Sequence, residues 1–229
     1  MKVIYPKEIA SIFSYLSSLL DDELFLVGGS TRDLLLGREV SDLDFATRKK
    51  PDEVHDLFPD KLYFEKYGTT TFKIDTYHIT LATYREEKDY IDFRHPSKVE
   101  FVTDYKTDSK RRDFTINCLY ATLNGEVMDP TNQGIDDLSK KIIRIIGNPK
   151  TRLNEDPLRI LRAYRFKEEL GFTIEEHLKK ELKESECLLK NLNSNKIMEE
   201  IRKFPKDIQD EYIDAYLLNK AIARKGKCC

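Results

Sequence analysis

Cysteine is scarce in this sequence, and the few cysteines present exclude two kinds of stabilising site. The four residues, at positions 118, 187, 228 and 229, have the spacing of neither a zinc site nor a disulfide framework. The first residues lack the apolar core of a signal peptide, and no apolar run approaches the roughly 18 residues that span a bilayer. We therefore expect a soluble protein of a reducing cytoplasm, with no membrane partner.

The chain also has no net positive charge. The sequence has 39 lysines and arginines against 41 acidic residues, for a formal net charge of −2. An RNA partner would have to be bound by a local basic stripe rather than by a general positive field. Hydrophobic residues make up 40% of the 229 positions. That is enough for the core of one larger domain and a smaller second one.

The hydrophobic pattern divides the chain into an α+β part and a helical part. Apolar residues recur at helical spacing over residues 6–20, and short apolar runs predict strands at 24–27 and 43–46. A short helix is expected over residues 31–36. From Glu155 onward, apolar residues repeat about every 3.6 positions, which predicts only helices. We place the boundary at Gly147, which gives domains of residues 1–147 and 148–229.

Two aspartates, Asp42 and Asp44, flank Leu43 in the second predicted strand. Alternate residues of a strand project from one face, with Cα atoms about 6.6 Å apart. Two carboxylates so placed suit a hard cation such as Mg²⁺, and two such ions about 3.5–4 Å apart can activate a hydroxyl and stabilise a leaving pyrophosphate. Because Asp-x-Asp is a common pattern, a solvated acidic strand end explains it better when it is taken alone.

A glycine-rich turn precedes this pair by about a dozen residues. Residues 28–33 read Gly-Gly-Ser-Thr-Arg-Asp and lie between a predicted strand and a predicted helix. Paired glycines let a backbone approach phosphate closely, and a helix N-terminus presents N–H groups. Ser30 adds a hydroxyl donor, and Arg32 could reach a phosphate. A plain tight turn explains this segment by itself, but a phosphate cradle beside a carboxylate pair is a more specific combination.

Together these motifs resemble the start of the class II tRNA nucleotidyltransferases and bacterial poly(A) polymerases, which belong to the polymerase-beta superfamily. The resemblance continues in the same order over roughly residues 24–172. The later motifs lie at residues 85–96, 111–117, 129–138 and 155–166. The family implies an α+β fold: a polymerase-beta-type nucleotidyltransferase head with a mixed sheet, followed by an all-α neck.

The resemblance also implies roles for individual residues. Asp42 and Asp44 would be the catalytic residues and the ligands of Mg²⁺. The residues expected against the nucleotide's triphosphate and ribose are Gly28, Gly29, Ser30, Arg32, Arg111, Arg112, Asp113 and Asn117. Taken without the resemblance, the two adjacent arginines have two equally good interpretations. They can bind an anion with their guanidinium groups, or they can be solvated charged residues at the start of a helix.

A base-reading pair is expected near the start of the helical part, at Asp156 and Arg159. Residues three apart share a helix face, and we expect this helix to begin near Glu155 with Asn154 as its N-cap. Aspartate only accepts hydrogen bonds and arginine only donates them, which complements cytosine and adenine but not uracil and guanine. A solvated i,i+3 salt bridge is the alternative, and the resemblance favours base reading. Arg162, one turn further on, is expected at the triphosphate.

The expected function is template-independent addition of CMP and AMP, from CTP and ATP, to the 3′ end of tRNA. Open alternatives are an enzyme adding only CC or only A, a poly(A) polymerase, a transferase acting on a protein, and a non-catalytic RNA-binding relic. The retained pairs Asp42–Asp44 and Asp156–Arg159 argue against the relic.

The sequence departs from the family in two respects. Thr80 stands where members often carry a further carboxylate, for which Asp75 is a candidate substitute. The chain also continues only briefly beyond the expected neck, so we expect weak tRNA binding unless the protein associates. Apolar neck residues would then lack cover and favour a homo-oligomer through that region; these are Ile174, Leu178, Leu182, Leu188 and Leu189.

Overall fold

A computed structural model describes residues 1–20, 24–90, 93–214 and 216 of the chain. They form two compact units. The first contains residues 1–88 and 98–138, and the second contains residues 89–97 and those from 139 onward. A functional division at residues 147 and 148 stays a prediction.

The part of the chain up to residue 140 alternates helices and strands. In chain order these are α1 (Lys7–Leu20), β1 (Leu24–Val27), α2 (Gly28–Leu35), β2 (Asp42–Thr47), α3 (Pro51–Leu57), β3 (Leu62–Phe64), β4 (Thr69–Ile74), β5 (Tyr77–Thr83), β6 (Arg85–Tyr90), β7 (Pro96–Phe101), α4 (Tyr105–Ser109), β8 (Tyr120–Ala121), β9 (Val127–Met128) and α5 (Gly134–Lys140). Helix α2 begins at Gly28 rather than at residue 31, because a positive φ at this glycine turns the chain directly from β1 into the helix.

A mixed sheet organises the first unit. Among the described residues it has the strand order β3-β4-β5-β2-β1-β8-β9, and β6 and β7 form a separate two-stranded sheet. Strands β2 and β5 run parallel, whereas β1 pairs with β2 and with β8 in antiparallel fashion. One face carries Leu26, Leu43 and Phe45 into a core shared with α1. Because side chains alternate along a strand, Asp42 and Asp44 belong to the opposite face.

The second unit is mostly helical but not entirely so. Its elements are β10 (Ile142–Ile143), α6 (Pro149–Glu155), α7 (Leu158–Leu170), β11 (Thr173–Ile174), α8 (Glu176–Ser185) and α9 (Ser194–Ile201). The prediction of helices alone was wrong at β11, which pairs in parallel with β10. Gly171 ends α7 with a positive φ, and the β-branched residues Thr173 and Ile174 then favour an extended backbone.

The predicted helix start near Glu155 was also wrong. Helix α6 ends at Glu155, Asp156 is extended, and α7 begins at Leu158. Pro157 has no N–H to continue the helix ladder, so the chain breaks there. The side chain of Asn154 donates to the carbonyl of Lys150 within α6, so it is not an N-cap.

The apolar residues expected to lack cover are covered within the second unit. Ile174, Leu178 and Leu182 are buried, and Leu188 and Leu189 are half-buried. Helix α8 packs against α6, which covers the apolar face of α8. Uncovered leucines therefore give no reason for self-association. In the described parts of the chain, no helix has both the length and the apolar character needed to cross a membrane.

Candidate active site

The paired aspartates lie on the face of the sheet that is turned away from the α1 core. Asp42 is exposed and Asp44 is half-buried. In the parallel register of β2 and β5, Asp42 is opposite His78 and Asp44 is opposite Thr80. Thr80, where the resemblance implies a further carboxylate, is therefore adjacent to Asp44 and offers a hydroxyl. Asp75 lies in the turn between β4 and β5, outside both strands.

Ser30 fixes the start of α2 against this strand. Its hydroxyl donates to the carbonyl oxygen of Asp42 at 2.8 Å and accepts from the amide of Asp44 at 2.9 Å. The hydroxyl is therefore bonded to the strand backbone on both sides. The glycine-rich turn and the aspartate pair are held together by a side chain that we expected only to donate to phosphate.

Gly28 brings the turn close to charged groups of opposite sign. A Cβ atom at this position would lie 3.4 Å from Oδ2 of Asp44 and 3.9 Å from Nη1 of Arg112. Arg112, Asp44 and the turn are thus neighbours, although they come from three separate motifs. At Gly29 a Cβ atom would meet only Nη2 of Arg32, at 3.7 Å, which is ordinary contact.

A buried carboxylate, Asp108, lies behind the two predicted arginines. Its Oδ1 accepts from Nε of Arg111 at 2.8 Å, and its Oδ2 accepts from Nη2 of Arg112 at 3.1 Å. The hydroxyl of Tyr120 donates to Oδ2 at 2.7 Å, and the backbone amide of Arg85 donates to Oδ1 at 3.1 Å. Burial acts to raise the pKa of Asp108, but the charges of the two arginines and the hydrogen bonds from Tyr120 and the Arg85 amide together hold that pKa well below its usual range.

A second chain of hydrogen bonds connects α2 with the segment after the arginines. Arg32 is buried; its Nη1 donates to Oδ1 of Asn117 at 2.7 Å, while Nε and Nη2 bind the carboxylate of Asp33. Asn117 in turn donates to Oδ1 of Asp113 at 3.2 Å. Arg32, Asp113 and Asn117 therefore lie together, and their polar groups bind one another.

The base-reading candidates lie in the second unit, at the junction of α6 and α7. Asp156 accepts from the amide of Leu158, the first residue of α7, at 3.1 Å. Arg159 is buried, and its Nη1 donates to the carbonyl of Arg152 at 2.6 Å and to Oε2 of Glu155 at 3.3 Å.

Burial raises the pKa of Asp156 above the ordinary aspartate value, and the charges of Arg159, Arg94 and Arg162 oppose that increase. The guanidinium carbon of Arg162 lies 5.5 Å from the ring centre of Phe166. The junction therefore contains a half-buried acidic group among arginines. It has the donor and acceptor types needed to read a base.

Sequence reasoning missed Asp108 and Tyr120. Asp108 lies three and four residues before Arg111 and Arg112, a spacing that places all three on one side of a helical turn and could have pointed to it. No pattern in the sequence indicates that Tyr120, on β8, reaches the same carboxylate.

Comparisons with known proteins agree with this geometry. The model of the poly(A) polymerase head domain family matches residues 24–144. A CCA-adding enzyme of Lactobacillus helveticus is 43% identical over 182 residues, which is 79% of this chain and 45% of that protein. The CCA-adding enzyme of Bacillus subtilis is 39% identical over 75% of this chain and 43% of its own length. The chain thus spans about half the length of these curated relatives.

Solved structures show the same similarity. The Bacillus stearothermophilus CCA-adding enzyme in complex with CTP superposes with a TM-score of 0.75 at 31% identity, covering 87% of this chain and 49% of that one. A tRNA nucleotidyltransferase complexed with a primer tRNA and an incoming ATP analog gives a TM-score of 0.71 at 29% identity, covering 92% of this chain and 61% of that one. The predicted α+β class with a mixed-sheet head is confirmed.

Proposed function

The chain belongs to the family of class II tRNA nucleotidyltransferases and poly(A) polymerases, and we propose on that premise that it adds CMP and AMP, from CTP and ATP, to the 3′ end of tRNA. The observation that carries the proposal is the Asp42–Asp44 pair, fixed by Ser30 beside the Gly28 turn and near Arg112. Relatives named CCA-adding enzymes, and structures of such enzymes with CTP or with tRNA, support it.

The aspartate pair fits Mg²⁺ as the cofactor. Mg²⁺ is usually bound by one or two carboxylates together with water and substrate phosphates. Asp42 and Asp44 offer two carboxylates on one strand face, and no group of three or more acidic, histidine or cysteine ligands occurs among the described residues. When bound, the ion would supply activation of the attacking hydroxyl and charge neutralisation at the leaving pyrophosphate.

The protein's own residues would bind and orient the nucleotide. The 3′ hydroxyl oxygen of the RNA attacks the α-phosphorus and its proton leaves to solvent. The bond between the α-phosphorus and the oxygen that bridges to the β-phosphate breaks, which releases pyrophosphate. Gly28 leaves space beside Asp44, so that phosphate oxygens can approach the backbone. Arg111 and Arg112 would compensate the negative charge of the triphosphate through charge-assisted hydrogen bonds.

Asp156 and Arg159 would choose the base. The Asp156 carboxylate would accept from the exocyclic amino group of cytosine or adenine, and Arg159 would donate to the ring nitrogen. The carboxylate must be ionised for this role, and the surrounding arginines favour ionisation against the effect of burial. Uracil and guanine would place a carbonyl against the carboxylate.

Within the same chemistry, addition of CC or A alone and poly(A) synthesis remain alternatives. The matching family model describes a poly(A) polymerase head, which favours poly(A) synthesis as the second candidate. The test is incubation of the protein and Mg²⁺ with tRNA lacking its 3′ CCA, with each labelled nucleoside triphosphate alone and with all together. We expect two additions with CTP alone and a third when ATP is added. A long ladder with ATP alone would favour the poly(A) polymerase, and no product would refute the proposal.

The tRNA 3′ end is the proposed partner, and a cytoplasmic location stays a prediction from the cysteine pattern. Self-association through the helical region also stays a prediction. The exposed apolar residues that motivated it are not found, because those side chains are buried or half-buried. Light scattering with and without tRNA measures both the oligomeric state and the complex.

A further inference from the structure

Asp108 joins groups that no single element of the fold would bring together. Its carboxylate binds Arg111 and Arg112 from the turn after α4, Tyr120 from β8 and the backbone of Arg85 at the start of β6. The side chain is completely buried, and those of the two arginines are 15% and 13% exposed. The carboxylate is thus farther from solvent than the two arginines that it binds.

Asp108 and Tyr120 together fix the orientation of the Arg112 guanidinium group. Its Nε donates to the Tyr120 hydroxyl at 2.8 Å, its Nη2 donates to Asp108, and its guanidinium carbon lies 4.8 Å from the centre of the Tyr120 ring. The remaining nitrogen, Nη1, lies beside Gly28, where a Cβ atom would be 3.9 Å from Nη1 and 3.4 Å from Oδ2 of Asp44. Two of the three guanidinium nitrogens are therefore held by buried groups, and this fixes the direction of the third.

Two adjacent arginines would not take this arrangement by themselves. Like charges repel, and each long side chain loses rotamer freedom when it is fixed. A buried carboxylate that accepts from both offsets the repulsion. Glu87 also lies 3.7 Å from Arg111 and is bound by Arg85. Three arginines thus share the two acids, Asp108 and Glu87, which leaves a net positive charge to face an anion.

We propose that Asp108, assisted by Tyr120, is a positioning residue that holds Arg111 and Arg112 in the orientation that binds the nucleotide's triphosphate. The inference rests on the proposed function, because it assigns the triphosphate to these arginines. Asp108 does not touch the substrate; it acts through the two guanidinium groups.

The test compares Asp108→Asn and Tyr120→Phe with the wild-type chain. Asparagine has the same shape but replaces an acceptor by a donor, so one guanidinium or the tyrosine hydroxyl would meet an N–H group. Phenylalanine keeps the ring and loses only the hydroxyl, so it preserves the fold if the asparagine variant does not. The measured quantities are Kd for ATP and for inorganic tripolyphosphate by calorimetry, KM and kcat for CTP and ATP, and the melting temperature.

Matched controls separate positioning from stability. Tyr5→Phe removes another partly buried tyrosine hydroxyl of the first unit, bonded to the carbonyl of Thr122. Glu200→Gln alters another buried carboxylate, which binds Arg165 and Lys203 in the second unit. Both controls should lower the melting temperature and leave Kd for tripolyphosphate unchanged.

For Asp108→Asn we expect Kd for ATP and tripolyphosphate, and KM for CTP and ATP, to rise about tenfold, with a smaller change in kcat. Tyr120→Phe should give about a threefold rise, and the preference for CTP over UTP should stay constant in both. In an Arg112→Lys background, Asp108→Asn should add less than about a twofold effect, because the two residues act together.

Unchanged Kd and KM in a destabilised Asp108→Asn protein would overturn the proposal and leave Asp108 a structural residue. Additive effects with Arg112→Lys, or a wild-type chain that binds neither ATP nor tripolyphosphate, would also overturn it. A wild-type chain that binds ATP but adds no nucleotide to tRNA would refute the proposed function alone. The binding comparison would still test the role of Asp108.

Discussion

The arginines of the two units are held in different ways. In the first unit, Arg112 is fixed by Asp108 and by Tyr120, which is eight positions away on another element. In the second unit, Arg159 is fixed by the carbonyl of Arg152 and the side chain of Glu155, both within the seven preceding residues. The first arrangement depends on the assembly of the sheet, and the second on one helix junction.

This difference separates two tasks that we assign to the two units. A triphosphate is the same in every nucleotide, so a fixed set of charges built on the sheet can serve all substrates. Base choice needs a donor and an acceptor whose relative position matters, and a short helix junction supplies both. Substitutions at the charged site of the first unit should therefore lower the use of all nucleotides alike, whereas substitutions at the helix junction should change the preference among them.

The largest effect is expected from Asp42→Asn. If Asp42 holds Mg²⁺ as proposed, this change should slow transfer of all four nucleotides by at least about 1000-fold, because several kcal/mol of transition-state stabilisation are lost. Relief of repulsion between the two carboxylates should leave the melting temperature unchanged or slightly higher. The measurement is kcat/KM with CTP and ATP, beside Asp60→Asn, which alters an exposed aspartate of the same unit. Near-native turnover of Asp42→Asn would refute the metal assignment.

Asp108→Asn should lower the free energy of unfolding by about 3 kcal/mol at neutral pH, because two largely buried guanidinium groups lose the buried carboxylate that they share. The pKa of Asp108 is lowered in the folded state. Its stabilisation is therefore present above the unfolded-state pKa of about 4, and is lost as the pH falls further through the folded-state value.

Urea denaturation of both proteins at pH 7 and at a series of progressively more acidic pH values measures this difference. A gap between the two proteins that is independent of pH down to the most acidic conditions would contradict the lowered pKa of Asp108.

At the helix junction, Asp156→Ala and Arg159→Ala should each reduce the preference for CTP over UTP. The expected loss is about ten- to a hundredfold, since each removes a hydrogen bond to a charged side chain. The measurement is kcat/KM for the four nucleotides on one RNA primer. Arg165→Ala is the matched control, because this arginine of the same helix is paired with Glu169 and Glu200. An equal fall for all four nucleotides would mean that bases are read elsewhere.

The smallest effect is expected from Asn148→Ala. Asn148 caps α6 by accepting from the amide of Thr151 at 3.0 Å, and loss of such a cap costs about 1 kcal/mol. Urea midpoints should show this loss, with KM for CTP and ATP nearly unchanged. Asn193→Ala, which removes the corresponding cap of α9, is the control. A rise in KM as large as that expected for Asp108→Asn would show that helix α6 also governs triphosphate binding.

Local patterns in the sequence determined much of this protein. Helical spacing predicted α1, and the apolar runs predicted β1 and β2 to within one residue at each end. Because a strand alternates its side chains, strand periodicity was enough to place Asp42 and Asp44 on one face. The order of the motifs was sufficient to identify the family, which the family model confirms.

Tertiary structure alone decided how the charged residues are held. Sequence spacing cannot show that Ser30 binds the backbone of β2, or that Tyr120 reaches Asp108, since these contacts form only when separate strands pair. It also misplaced Asp156 within a helix, because Pro157 breaks a run whose apolar period continues across it. Periodicity reports which side of an element is apolar, whereas the partners of a buried charge depend on which elements meet there.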